Sequence, residues 1–194
     1  NGGYCNKIDC GGYHVIGGGC FNNICNQRSY TITNTISGGA YNTISGYPFC
    51  GSAIGGGECN FICNSYSVIG GGNCNTISGY TGDGSYGANY SFIGGGRLNI
   101  INQGYYSYSS IVGGYCNSVS AAYSSIVGGT RHQVSSYYGF IGAGIVNLVS
   151  SQYSSVINGV NNDILGYDSN FIGGGCSNLI MNNCMATISN GYYN

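Results

Sequence analysis

The chain has 194 residues, of which 38 are Gly and 20 are Tyr, with one Pro and no Trp. Only 5% of the residues are charged and the net charge is -1, so the composition gives no electrostatic support for binding nucleic acid or an anionic membrane surface. There is no apolar run of about eighteen residues, and the sequence therefore predicts no membrane insertion.

A short repeat runs through the whole chain. In each unit a β-branched residue comes first, a Gly follows three positions later, an Asn three after the Gly, and a second β-branched residue two after the Asn. His132 is the one residue that replaces the Asn. We expect the Asn column to form a ladder of side-chain hydrogen bonds along the corner of stacked coils. The column comprises Asn6, Asn22, Asn42, Asn60, Asn75, Asn99, Asn117, Asn147, Asn162 and Asn178.

The first apolar column runs from Ile16 to Ile188 and the second from Ile8 to Ile180. Where the units are most regular, they are fifteen residues long, which is too short for a helical repeat and suits one turn of a β-solenoid. Gly and Asn tolerate the left-handed backbone conformation that a sharp corner needs. Stacking at about 4.8 Å would place each apolar residue on that of the next coil. We therefore predict an all-β fold, a single parallel β-solenoid (β-roll) over residues 1–194 with about twelve coils of about 15 residues.

Several stretches resemble known surface-protein repeats. They include Tyr-Ser-Val-Ile-Gly-Gly-Gly-Asn-Cys-Asn-Thr-Ile-Ser-Gly at 66–79, Ser-Ser-Ile-Val-Gly-Gly-Tyr-Cys-Asn-Ser-Val-Ser at 109–120 and Tyr-Ser-Ser-Ile-Val-Gly-Gly at 123–129. The frame resembles the YadA-like head repeats of trimeric autotransporter adhesins and related repeats of phage, giant-virus and microbial surface fibres. That resemblance implies a left-handed roll, commonly in a trimer, that serves as the head or shaft of an adhesin or fibre.

The spacing of the repeat units is uneven, because from Ile16 onward successive units are 20, 18, 15, 24, 18, 15, 15, 15, 16 and 16 residues apart. Insertions in solenoids fall in loops on one face, which is often the binding face. The longest insertion carries Tyr80, Asp83, Tyr86 and Tyr90, an aromatic and polar set that suits a sugar or a partner protein. The alternative is a tolerated Gly-rich loop without a task of its own.

A Tyr column lies three residues before the first apolar column. It could present an aromatic ladder to glycans, form a seam between subunits, or simply cover a corner of each coil. The column comprises Tyr13, Tyr66, Tyr90, Tyr108, Tyr123, Tyr138 and Tyr153.

The 11 Cys residues largely follow the repeat rather than a metal-binding motif. Cys59 and Cys74 occupy the same column in consecutive coils, and the expected separation of about 4.8 Å suits a disulfide. Cys116 has Leu98 and Arg131 as its column neighbours and therefore no such partner. We expect disulfides and small buried thiols, with intersubunit bonds as the alternative, and no metal site.

The few acidic and basic residues are scattered over different columns, so we expect no enzymatic activity and no cofactor. The sequence favours a structural or adhesive fibre module at the extracellular surface of a cell or virion. Its expected partners are other copies, as a homotrimer or filament, and a host-surface glycan or protein receptor. A glycan-binding solenoid is the alternative, and a polysaccharide-degrading or ice-binding solenoid is less favoured. Because the chain begins and ends within a repeat unit, we also expect it to be a fragment of a longer fibre protein.

Overall fold

The computed structural model describes residues 2–9, 11–26, 33–46, 51–79, 90–103 and 108–194. The regular secondary structure in these ranges consists of β-strands of two to four residues, which stack in parallel to form a β-solenoid. This confirms the predicted fold class. Within the same ranges, no helix is long and apolar enough to cross a membrane.

Two long sheets run the length of the solenoid, and each contains eleven described strands. The prediction of about twelve coils is therefore close. Sheet I carries the second apolar column and consists of β1 (Lys7–Ile8), β3 (Asn23–Asn26), β5 (Thr43–Gly46), β7 (Phe61–Ile62), β9 (Thr76–Ser78), β11 (Ile100–Asn102), β13 (Ser118–Val119), β15 (Gln133–Val134), β17 (Leu148–Val149), β19 (Asp163–Ile164) and β22 (Leu179–Ile180). Sheet II carries the first apolar column and consists of β2 (Val15–Ile16), β4 (Thr35–Ile36), β6 (Ala53–Ile54), β8 (Val68–Ile69), β10 (Phe92–Ile93), β12 (Ser110–Ile111), β14 (Ser125–Ile126), β16 (Phe140–Ile141), β18 (Ser155–Val156), β20 (Phe171–Ile172) and β23 (Thr187–Ile188).

The core is built from the two apolar columns. The strands pair in register, so that Ile126 lies opposite Ile141 in sheet II and Val134 opposite Val149 in sheet I. Successive side chains of a strand point to opposite faces, so in sheets I and II the Ile or Val of the apolar column points to the core side and the residue before it points outward. From Ile24 to Ile172 the residues of both columns are at most 1% exposed, whereas Ile8 at the first described coil is 39% exposed. Stacking closes a core that no single coil could bury.

A third line of parallel pairing joins the coils between the two sheets, and the two columns of the repeat did not predict it. It consists of single-residue bridges such as Glu58 to Asn73 and Thr130 to Ile145. At the last described coil it widens into a small sheet of β21 (Gly175–Cys176) and β24 (Gly191–Tyr192). The coil therefore has three lines of backbone pairing rather than two.

One glycine per coil is required by the tight stacking at this third line. Gly129 has a φ of 96°, and a Cβ atom added there would lie 2.5 Å from the carbonyl oxygen of Gly144 in the next coil. The equivalent glycines from Gly3 to Gly175 also have positive φ. The recurrence of Gly thus follows from the approach of backbone to backbone.

The irregular spacing of the repeat arises at one corner. From each residue of the first apolar column to its partner in the second, the distance along the chain is constant at eight residues. The additional residues all fall between a sheet I strand and the next sheet II strand, as between β9 and β10. Tyr80, Asp83 and Tyr86 of the predicted binding loop lie in that interval, outside the described residues.

Candidate functional site

The ten predicted asparagines lie one above another along the corner that leads into sheet I. The Oδ1 atom of Asn42 accepts hydrogen bonds from the backbone N–H (3.0 Å) and the Nδ2 (3.1 Å) of Asn60 in the next coil. The Nδ2 of Asn42 itself donates to Gly38 O (3.1 Å) and Gly57 O (2.9 Å). Asn42 and Asn60 are fully buried, so these bonds satisfy polar groups that water does not reach.

His132 continues this Asn ladder at the one position without Asn. Its backbone N–H donates to Asn117 Oδ1 (3.0 Å), and its Nδ1 accepts from the backbone N–H of Asn147 (3.0 Å). An Nδ1 that accepts carries no proton, so the neutral ring is protonated on Nε2. The side chain is 1% exposed, and Nε2 makes no well-formed hydrogen bond. Burial of the ring lowers the pKa of His132.

A second polar ladder follows the opposite corner, where the chain enters sheet II. Here a side-chain acceptor in one coil receives the backbone N–H of the next, as from Ser67 to Ser52 Oγ (3.2 Å) and from Gly139 to Ser124 Oγ (3.1 Å). Asn34 Oδ1 takes the same role towards Ser52 (2.9 Å). Sequence reasoning did not identify this ladder. Its signal is the Ser or Asn that stands two positions before most of the Ile and Val residues of the first apolar column, with His14, Gly139 and Ala186 as the exceptions.

Six tyrosines of the predicted Tyr column form one continuous stack beside this second ladder. Neighbouring ring centroids are 4.9 to 5.5 Å apart and the ring planes are within 13° of parallel. Each of these residues has a positive φ between 40° and 58°. The stack comprises Tyr66, Tyr90, Tyr108, Tyr123, Tyr138 and Tyr153. Tyr90 of the predicted binding loop is thus one ring of the stack.

The stacking determines which part of each ring meets solvent. Because the rings lie face to face, their faces cover one another, and they present mainly edges and hydroxyl groups outward. The rings nonetheless stay about half exposed, with Tyr123 at 43% and Tyr153 at 58%. A sugar that stacks on an aromatic face would find a free face only at an end of the stack. The ladder is better suited to contact with a surface that meets the ring edges.

The predicted disulfide partners Cys59 and Cys74 occupy equivalent places in adjacent coils, each with a φ near 55°. Both thiols are free, and the Cys59 thiol is a neighbour of Cys74. Partial burial, followed by the neighbouring Cys74 and Glu58, raises the pKa of the Cys59 thiol. The two side chains are therefore brought together, and their disulfide stays a prediction.

Ionisable side chains are not gathered into a cluster in the described ranges. Lys7 and Asp9 form an exposed ion pair at 2.7 Å, and Glu58 accepts a hydrogen bond from Asn73 at 3.3 Å. Asp163 stands alone on sheet I, where burial raises its pKa. No group of three or more His, Cys, Asp or Glu residues is arranged to hold a metal ion in the part of the chain that the structure describes.

Comparison with models of known protein families finds none that matches this chain, and comparison with curated proteins finds no match. The fold and the ladders therefore provide the basis for a functional proposal. They define a β-solenoid repeat protein whose polar side chains mainly connect one coil to the next.

Proposed function

We propose that this chain is a structural and adhesive module of a surface fibre, of the kind that its resemblance to adhesin-head repeats implies. The observation that carries the proposal is the Asn ladder, in which an amide such as that of Asn42 bonds to both neighbouring coils. Side chains used in this way stiffen an array along its axis. At about 4.8 Å per coil, ten steps between eleven strands give a rod about 48 Å long.

The proposal includes self-association, as a trimer or a filament, and an extracellular place on a cell or virion. It includes no catalytic activity. Antibodies raised against the folded chain should label surface appendages of intact cells or virions of the source organism. Label confined to the interior of permeabilised cells would contradict the proposal, and so would turnover of a polysaccharide by the purified chain.

A glycan-binding module is the second candidate, because the Tyr stack is an exposed aromatic feature. A glycan array incubated with the labelled chain tests it. Binding to one class of sugar that is lost on Tyr153→Asn would favour this candidate, because Tyr153 is an end ring of the stack. A surface module with no sugar binding would leave the structural proposal in place.

A further inference from the structure

We infer that the outer face of sheet II, together with the Tyr stack along its edge, is a lateral docking surface for a second copy of this chain. This inference rests on the proposed function, because it names the surface through which the module would associate. The face is defined by three outward columns. These are the Tyr stack, the first residue of each sheet II strand, and the residue that follows each strand.

The face carries no charge in the part of the chain that the structure describes. Every described charged residue lies on sheet I, on the third line of pairing, or at a corner, namely Lys7, Asp9, Glu58, Arg97, Arg131, Asp163 and Asp168. Two such faces can therefore meet without burying an unpaired charge, which is the costliest event at an interface.

Apolar side chains are exposed along this face. Phe92 is 42% exposed, Val127 48% and Ile157 43%, and these residues continue the apolar surface of the Tyr stack. They belong to alternate coils of sheet II beside the Tyr stack, and exposed apolar side chains gathered on one face are typical of an interaction site. Ser110, which lies between them, donates its hydroxyl hydrogen to Ser125 Oγ at 3.0 Å, so this donor needs no polar partner across an interface.

The axial repeat indicates that the partner is a copy of the same chain. Ring edges recur every 4.9 to 5.5 Å along the stack. Only a surface with the same repeat can meet every ring edge in the same way, as paired sheets do when identical side chains interdigitate. Another copy of this solenoid has that repeat, since the spacing is set by the parallel stacking of its coils.

The face also approaches the size of a specific interface. The Tyr stack spans six coils, so five strand spacings of about 4.8 Å carry the full width of four residue steps of about 3.3 Å, and the other five carry the two steps of the strand columns, which gives about 480 Å² per copy. Two copies together would bury about 950 Å², close to the roughly 1,000 Å² of a biological interface.

Val127→Lys tests the inference, and Leu165→Lys is its matched control. Each residue directly follows a buried Ile, each donates its backbone N–H to the next coil, and they are 48% and 41% exposed. Val127 lies on the proposed face, whereas Leu165 follows β19 of sheet I. Tyr123→Asn is a second variant, because Asn tolerates the positive φ of 58° there while the ring is removed.

Mass is measured by light scattering over a range of concentrations, with reductant present to exclude disulfides between copies. We expect the natural chain and Leu165→Lys to self-associate alike, and both Val127→Lys and Tyr123→Asn to weaken association by about tenfold or more. Circular dichroism verifies that each variant is folded.

The outcomes separate the inference from the proposed function. If the natural chain associates and both lysine variants associate as strongly, the docking surface is wrong and the fibre proposal stands. A natural chain that stays monomeric at all concentrations overturns the docking surface and the self-association in the proposal. Sugar binding that is lost in Val127→Lys, without any self-association, would assign the face to glycans and overturn the inference.

Discussion

His132 makes one coil of the Asn ladder sensitive to pH. A protonated ring would place an Nδ1–H against the backbone N–H of Asn147, and burial already lowers its pKa. The folded state therefore binds this proton less readily than the unfolded chain, in which the pKa of His is about 6.5. The stability that the neutral ring contributes is fully present above about pH 6.5 and is lost as the pH falls from there through the lower pKa of the folded state.

His132→Asn should remove this dependence, because Asn is the residue that the repeat uses at the same place. For the natural chain, we expect the free energy of unfolding in urea to fall by up to about 1.4 kcal/mol per pH unit below pH 6.5. The variant should show a smaller slope over the same range. Equal slopes in the two proteins would assign the pH dependence to other groups.

Val146 is a residue in an unfavourable backbone conformation. Its φ is 56°, and a β-branched residue is seldom found there. Val146→Asn should raise the free energy of unfolding by about 1 kcal/mol, since Asn tolerates this conformation. Asn161→Val, one coil further in the same column with a φ of 55°, should lower it by a similar amount. Thermal unfolding of the two variants measures both changes in the free energy of unfolding. If Asn161→Val stabilised the protein, φ would not determine the effect of these substitutions.

At the level of elements, two neighbouring glycines at the corner between sheet II and the third line of pairing differ in the space around them. A Cβ atom at Gly129 would contact His132 Nε2 and the Gly144 carbonyl, whereas one at Gly128 would have nothing within 4 Å. Gly129→Ala should lower the free energy of unfolding by about 3 kcal/mol or more, whereas Gly128→Ala should change it by no more than about 0.5 kcal/mol. Ala143 already occupies the place equivalent to Gly128 in the next coil. Urea unfolding compares the two, and equal losses would contradict the steric account.

The elements that could be predicted from sequence are those in which one side-chain type recurs for a structural reason. Ile pairs identify the two sheets, because burial demands the same shape in every coil. The third line of backbone pairing could not be predicted, because its bridge residues, such as Glu58 and Val160, share no side-chain chemistry and pair only through their backbones. The Tyr column was evident in the sequence. The parallel orientation of its rings was not, because it follows from the stacking of the coils.

For the whole molecule, the stacking implies that stability is distributed locally. Each coil pairs with its two neighbours, and the ladders and the core repeat this arrangement along the axis. The stability of such an array is close to a sum of coil and interface terms, so a change in one coil spreads only a short way. The conformational cost of an insertion at one corner likewise stays in its own coil.

The cysteine pair allows this locality to be tested. Oxidation should join Cys59 to Cys74, because residues paired one coil apart are about 4.8 Å apart and a disulfide spans that distance. A bridge that closes a loop of about 15 residues contributes about 3 kcal/mol. Hydrogen exchange should therefore slow in β7 to β9 and leave β16 to β20 unchanged, while Cys59→Ser should show no gain in protection on oxidation.

Peptide mapping without reductant identifies the bond. Cys116 has no Cys in a neighbouring coil of its column and should stay a free thiol within the monomer. Equal protection in all coils would mean that the solenoid unfolds as one unit, because a purely local array cannot transmit the bridge over seven coils.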